Sequence, residues 1–124
     1  PHFKPWPGML GTTFGGNHLA CAAALAVLEV MHQDSLLENA KTVGDYLIAE
    51  LKKIEGVTEV RGRGLMIGIQ LPESLAHVKK ELLFTHHIFT GEAKPNVIRL
   101  LPALNLTMEQ ADVFLEKFKI ALKG

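Results

Sequence analysis

The feature that most narrows the fold is a change of hydrophobic period at Gly56. Before it, Leu36, Leu37, Ala40, Val43, Leu47, Leu51 and Ile54 recur mostly every three or four positions, the spacing that lines one face of a helix. Lys41, Asp45, Glu50 and Lys53 fall on the opposite, solvated side. After it, Val57 and Val60 and then Leu65, Ile67, Ile69 and Leu71 alternate with small or polar residues. That period of two belongs to strands with one buried face. Gly62-Arg63-Gly64 divides the stretch into strands over 57–61 and 65–71. So short a connection excludes a crossover, and the two strands pair antiparallel.

The flanking segments follow the same logic. Ser35-Leu36-Leu37-Glu38 matches a capping box at the start of the helix, and Gly56 is placed to cap its end. Pro72 stops the second strand, and 73–86 is predicted as a helix with Leu75, Val78, Leu82 and Leu83 inward. A short strand over 88–90, a turn over 91–96 and a strand over 97–101, ended by Pro102, come next. Thr107-Met108-Glu109-Gln110 is a second capping box. It opens a last helix with Met108, Ala111, Phe114, Phe118 and Leu122 inward. Near the N-terminus, 17–32 is a helix apolar on nearly all faces, the pattern of a helix buried all round. A domain this small has little with which to cover it, which implies a partner surface. The proline-rich lead 1–9, with Phe3, Trp6 and Met9, is extended and irregular. The sum is an α+β fold: a small, mostly antiparallel sheet covered by helices and preceded by a buried apolar helix. Residues 1–16 are lead and loop, and 17–124 form a single domain.

Composition excludes several function classes. Thirteen basic side chains balance thirteen acidic ones, so no basic field invites nucleic acid and no acidic tail invites a basic partner. The apolar run around Leu19–Val30 contains Glu29 and falls short of the ~20 residues of a membrane span. No signal pattern opens the chain, and the expected setting is soluble and cytoplasmic. Cys21 is the single cysteine; it rules out an internal disulfide and reads as a small buried hydrophobe. His86 and His87 are adjacent, and His18 and His32 are too far apart for a helical metal pair, so no metal site is expected. The chain starts at Pro1, which suggests that something upstream has been removed.

Two places could carry chemistry. The loop Gly11-Thr12-Thr13-Phe14-Gly15-Gly16-Asn17 offers hydroxyls and loose amides in front of a helix that Asn17 can cap. Such a helix start can hold a phosphate or carboxylate, or it can be an entry loop with no ligand. Arg99 interrupts an apolar strand, Val97-Ile98-Arg99-Leu100-Leu101. Period two places it with Val97 and Leu101. A guanidinium there suits a carboxylate; alternatively it reaches into water from an edge.

These words also carry a resemblance. Gly11–Asn17 with the following Leu-Ala-Cys-Ala-Ala-Ala, Arg61-Gly62-Arg63-Gly64-Leu65-Met66-Ile67-Gly68, and Val97-Ile98-Arg99-Leu100-Leu101-Pro102 stand in this order across nearly the whole chain. Together they resemble the late part of class III pyridoxal-phosphate-dependent aminotransferases, nearest to members that use N-acylated ornithine. The resemblance implies the small C-terminal domain of a fold-type I aminotransferase. It implies that Thr13 holds the phosphate of pyridoxal phosphate in a neighbouring subunit's active site, that Thr12 lines the substrate, and that Arg99 binds a substrate carboxylate. Arg61 and Arg63 are expected to pair with carboxylates on nearby helices, in a structural turn. The lysine that binds the cofactor in the family would precede Pro1, as would the aspartate at the pyridine nitrogen. No lysine present has that context, so no catalytic residue is expected here, and the chain looks like an inactive C-terminal fragment. His18 stands where the family has proline, which leaves the first helical turn less preset.

The implied function is transfer of the terminal amino group of N-acetylornithine, or another N-acylornithine, to 2-oxoglutarate in arginine synthesis. The resemblance also implies glutamate as the product and a homodimer with shared active sites. The alternatives are ornithine, 4-aminobutyrate or succinylornithine aminotransferases, an aminomutase of the same family, and a free-standing α+β binding module. An aminomutase needs no carboxylate clamp, so Arg99 argues against it. The all-round apolar helix argues against the binding module.

Overall fold

The change of period at Gly56 marks a real boundary between helix and sheet. The computed structural model describes residues 4, 6–9, 11–93 and 95–124. The helices are α1 (His18–Gln33), α2 (Leu36–Leu51), α3 (Val78–Phe84) and α4 (Met108–Ala121). The strands are β1 (Glu59–Arg63), β2 (Met66–Gln70), β3 (Gly91–Ala93) and β4 (Val97–Leu100), and a 3-10 turn spans Glu73–Leu75. The chain divides into two compact units, Pro1–Asp34 and Ser35–Gly124.

In the second unit the strands lie in the order β1-β2-β4-β3, every pair antiparallel. Alternation separates two faces. Val60, Ile67, Ile69, Ile98 and Leu100 point inward and are buried. They join Val43, Leu47 and Leu51 of α2, Val78 and Leu82 of α3, and Leu115 and Phe118 of α4 in one core. The alternate residues, among them Arg61, Met66, Gly68, Gly91 and Arg99, form the other face. This is the expected α+β architecture.

Gly44, in the middle of α2, explains how the hairpin packs. A Cβ there would lie 2.2 Å from the carbonyl oxygen of Gly64 in the β1–β2 turn. Helix and hairpin backbones therefore touch, and only a missing side chain permits it. Gly44→Ala should lower stability by about 1–3 kcal/mol from overpacking, although alanine gains about 1 kcal/mol in helix propensity. The midpoint of urea unfolding checks the sign; a raised midpoint would refute the close contact.

Several element ends differ from the expectation. α2 stops at Leu51, and Gly56, at φ +92°, serves a following turn, with Val57 N donating to Ile54 O at 3.3 Å. Ser35 forms no capping box: it is left-handed (φ 50°, ψ 38°) and its side chain caps nothing. α1 runs to Gln33, so Asp34 and Ser35 alone must break one helix before the next, and a left-handed residue does that. β1 continues through Arg63, so the turn is Gly64-Leu65 and not Gly-Arg-Gly. The helix predicted over 73–86 is split into the 3-10 turn and α3. Residues 88–90 form no strand. β3 lies within the predicted turn, because left-handed Asn96 makes the reversal before β4 tight and leaves Gly91–Ala93 free to pair.

The capping box of α4 is complete. Gln110 N donates to Thr107 Oγ1 at 3.2 Å, and Thr107 N donates to Gln110 Oε1 at 3.0 Å. The buried face of α4 is Ala111, Leu115, Phe118 and Ala121. Phe114 and Leu122 pack partly buried at its margin, and Met108, expected inward, is exposed.

In the first unit, Asn17 caps α1: its Oδ1 accepts from Ala20 N at 2.9 Å and its Nδ2 donates to Phe14 O at 2.7 Å. The expectation of a buried helix is corrected. No residue of α1 is buried, and Leu19 is 82% exposed. Among its described residues this unit holds no second helix or strand that could cover an apolar surface. Cys21 is likewise exposed, not a core hydrophobe. Among the described residues no single helix is long and apolar enough to cross a membrane.

Candidate functional site: an exposed arginine on a glycine floor

β4 is an interior strand, between β2 and β3, so the edge-strand alternative for Arg99 does not apply. Its apolar neighbours Val97, Ile98 and Leu100 are all buried, while Arg99 is exposed. The register places Gly68 of β2 and Gly91 of β3 directly opposite Arg99. Arg61 in turn faces Gly68 from β1. One row across the sheet therefore reads Arg61, Gly68, Arg99, Gly91. Leu101, expected on the same face as Arg99, is also exposed.

The two arginines differ in how they are held. Arg61 Nη1 donates to Glu59 Oε2 at 2.9 Å, an exposed ion pair. That pair lies along β1, which corrects the expectation of a helical carboxylate; residues two apart on a strand share a face. Arg99 makes no side-chain hydrogen bond or ion pair among the described residues. An exposed, unpaired guanidinium presents its fork of donors to whatever carboxylate arrives.

Beside Arg99 lies a cavity of about 570 Å³, lined by Ile88, Phe89, Leu101, Leu106, Val113 and Phe114 among others. Its polar lining includes Glu109 and Gln110 from the first turn of α4. The Glu109 carboxyl sits below its usual range, held by a backbone hydrogen bond in that turn and by the Thr107 hydroxyl. Thr90 also lines it; its Oγ1 is buried and has no hydrogen-bond partner among the described residues. Neither the cavity nor the glycine floor was foreseen. The floor had a signal in the sequence, since glycines at 68 and 91 interrupt otherwise apolar or polar stretches. Only strand pairing shows that both face one arginine.

The threonine loop belongs to the first unit. Thr12 and Thr13 are both exposed. Gly16 is left-handed at φ +72°. A Cβ on Gly15 would fall 2.1 Å from Thr12 Cγ2, so the bare glycine lets Thr12 fold back over the loop. Asn17 engages one amide of the helix start. Hydroxyls and amides donate the bonds that phosphate oxygens accept, so this donor set fits a phosphate. Among the described residues no group of three or more His, Cys, Asp or Glu is gathered that could hold a metal ion.

The sequence family described as aminotransferase class-III matches residues 3–122. An ornithine aminotransferase of Bacillus cereus (strain Q1) is 42% identical over 118 residues, which is 94% of this chain and 30% of that protein. Among solved structures, an ornithine aminotransferase from Toxoplasma gondii with pyridoxal phosphate in partial occupancy at its active site aligns with a TM-score of 0.82. It is 28% identical, over 95% of this chain and 29% of that one. An acetylornithine aminotransferase from Elizabethkingia anophelis aligns with a TM-score of 0.79 at 31% identity, over 96% of this chain and 32% of that one. The chain thus spans about 30% of the length of the relatives it matches. With the family match running from residue 3 to residue 122, the chain belongs to the class III aminotransferases.

Proposed function

We propose that this chain is the carboxylate-binding and phosphate-binding part of an aminotransferase that uses pyridoxal phosphate. It acts on the terminal amine of ornithine or of an N-acylated ornithine, with 2-oxoglutarate as acceptor. The observation that carries this reading is Arg99: exposed, unpaired among the described residues and flanked by two glycines on an interior strand. Bound to such an enzyme, pyridoxal phosphate supplies the electron sink for moving an amino group between an amine and a 2-oxo acid. The hydroxyl of Thr13 and the amides of its loop would hold the phosphate, across the interface of a homodimer. Thr12 would line the substrate beside it.

Arg99 has the positioning task. Two parallel hydrogen bonds fix a carboxylate in orientation as well as place. A substrate clamped at that end presents its far amine at a set distance, and orientation of this kind removes a large part of a bimolecular barrier. Acylation of the inner amine leaves the terminal amine as the one that can react. The names of the sequence relatives favour ornithine, and acetylornithine is supported by a structural neighbour.

The full-length enzyme decides between these donors. With 2-oxoglutarate, ornithine or N-acetylornithine should yield glutamate, measured chromatographically. 1,4-Diaminobutane, which is ornithine without its carboxylate, should be poorer by about a hundredfold or more in kcat/KM, since a charged, oriented pair is lost. No glutamate from either ornithine donor, or equal rates with the diamine, would overturn the reading.

A further inference from the structure

We propose that Gly91 is a positioning residue: its bare Cα is the floor on which the Arg99 guanidinium lies, and it sets the angle at which a carboxylate is met. This rests on the reading of Arg99 as the carboxylate clamp and adds a second residue to it.

The backbone does not require glycine here. Gly91 opens β3 in ordinary strand pairing, opposite Arg99, and is not among the glycines at positive φ. Any L residue could adopt that conformation, and β-branched residues favour it. What glycine leaves open is the space above the strand. A Cβ at 91 would stand 3.2 Å from Arg99 Nε, 3.3 Å from the Arg99 carbonyl oxygen and 3.4 Å from Nη2, so it would press on the side chain from two atoms and on the strand backbone from one. The arginine side chain already occupies the place where a side chain on residue 91 would begin.

The other flank shows why the arginine leans this way. Gly68 is equally bare, but the space above it is used: a Cβ there would meet Val97 Cγ1 at 3.5 Å and Arg61 Cγ at 3.7 Å. Arg61, whose stem borders that space, pairs with Glu59. Arg99, with one cation on that flank and a bare glycine on the other, lies over Gly91. A methyl at 91 lifts the guanidinium slightly, and an isopropyl lifts it further. Neither removes the charge, so the expected consequence is a misaimed clamp.

The test uses the full-length enzyme loaded with cofactor, and glutarate as a non-reacting dicarboxylate. Its dissociation constant is measured by calorimetry for the parent, Gly91→Ala, Gly91→Val, Arg99→Ala and Arg99→Ala with Gly91→Val. Misplacement by a fraction of an ångström to one ångström predicts weakening of about tenfold for Gly91→Ala and up to a hundredfold for Gly91→Val. In the Arg99→Ala background the further loss from the change at 91 should be much smaller, because the two side-chain contacts are gone and only the one with the carbonyl oxygen of residue 99 remains. For the donor, KM should rise more than kcat falls. If Gly91→Val leaves glutarate binding intact while Arg99→Ala weakens it, the proposal is wrong and the clamp stands. An equal loss from Gly91→Val with and without Arg99 also overturns it, since the role would then be structural. If Arg99→Ala itself binds glutarate normally, the clamp reading fails and the proposal with it. Should Gly91→Val not fold, Gly91→Ala, which needs a shift of only a few tenths of an ångström, carries the same comparison.

Discussion

Replacing Arg99 by alanine in the full-length enzyme is expected to lower kcat/KM for a carboxylate-bearing amino donor by about 10²–10³-fold. If the rest of the enzyme and the bound substrate exclude water from the pair, truncating one member costs about 2–5 kcal/mol, and each 1.4 kcal/mol is about tenfold. The loss should fall mainly on KM for donor and acceptor alike. Cofactor absorbance in the resting enzyme should be unchanged, because Arg99 is assigned to substrate and not to the phosphate. Arg99→Lys should recover part of the loss and not all of it, since an ammonium keeps the charge without the planar fork. The side chain is exposed on the sheet face opposite the core and has no ion-pair partner among the described residues, so thermal stability should be close to that of the parent. Steady-state kinetics with both substrates checks this; a change in kcat/KM below about threefold, well under 1 kcal/mol, would remove Arg99 from substrate binding.

The second large effect is on stability. Phe118 is fully buried and stacks with Phe114 at a centroid distance of 5.6 Å. It sits in the cluster where α2, α3 and α4 meet the sheet. Phe118→Ala should destabilise the chain by about 3–5 kcal/mol, from lost transfer energy and the cavity left behind. Domains are typically stable by only about 5–15 kcal/mol, so a large share of the margin disappears. Urea unfolding followed by circular dichroism measures it. A loss below about 1 kcal/mol would mean that α4 is not packed as described, because so small a cost is foreign to a filled core position.

How far each feature could be read from sequence depends on the range of the interaction behind it. The three-four stripe of α2, the alternation in β2 and the capping box of α4 are local, and all three stand in the structure. The same local rule failed at Ser35, where the neighbouring helix end dictated a left-handed residue, and at Gly91, where a glycine read as turn punctuation is a paired strand residue. α1 was legible as a helix with an asparagine cap. Its burial was not, because burial is a property of what surrounds a helix and not of the helix.

The candidate site divides in the same way. Thr12, Thr13 and Arg99 stand out in the sequence because their chemistry is unusual for their places: hydroxyls in a glycine loop, and a cation inside an apolar strand. Periodicity and residue type were enough for that, and enough for the α+β class. Strand order, the interior position of β4 and the two glycines opposite Arg99 required the folded chain. Pairing joins residues 68, 91 and 99 through hydrogen bonds between strands, and no pattern along one strand encodes which partner lies beside it.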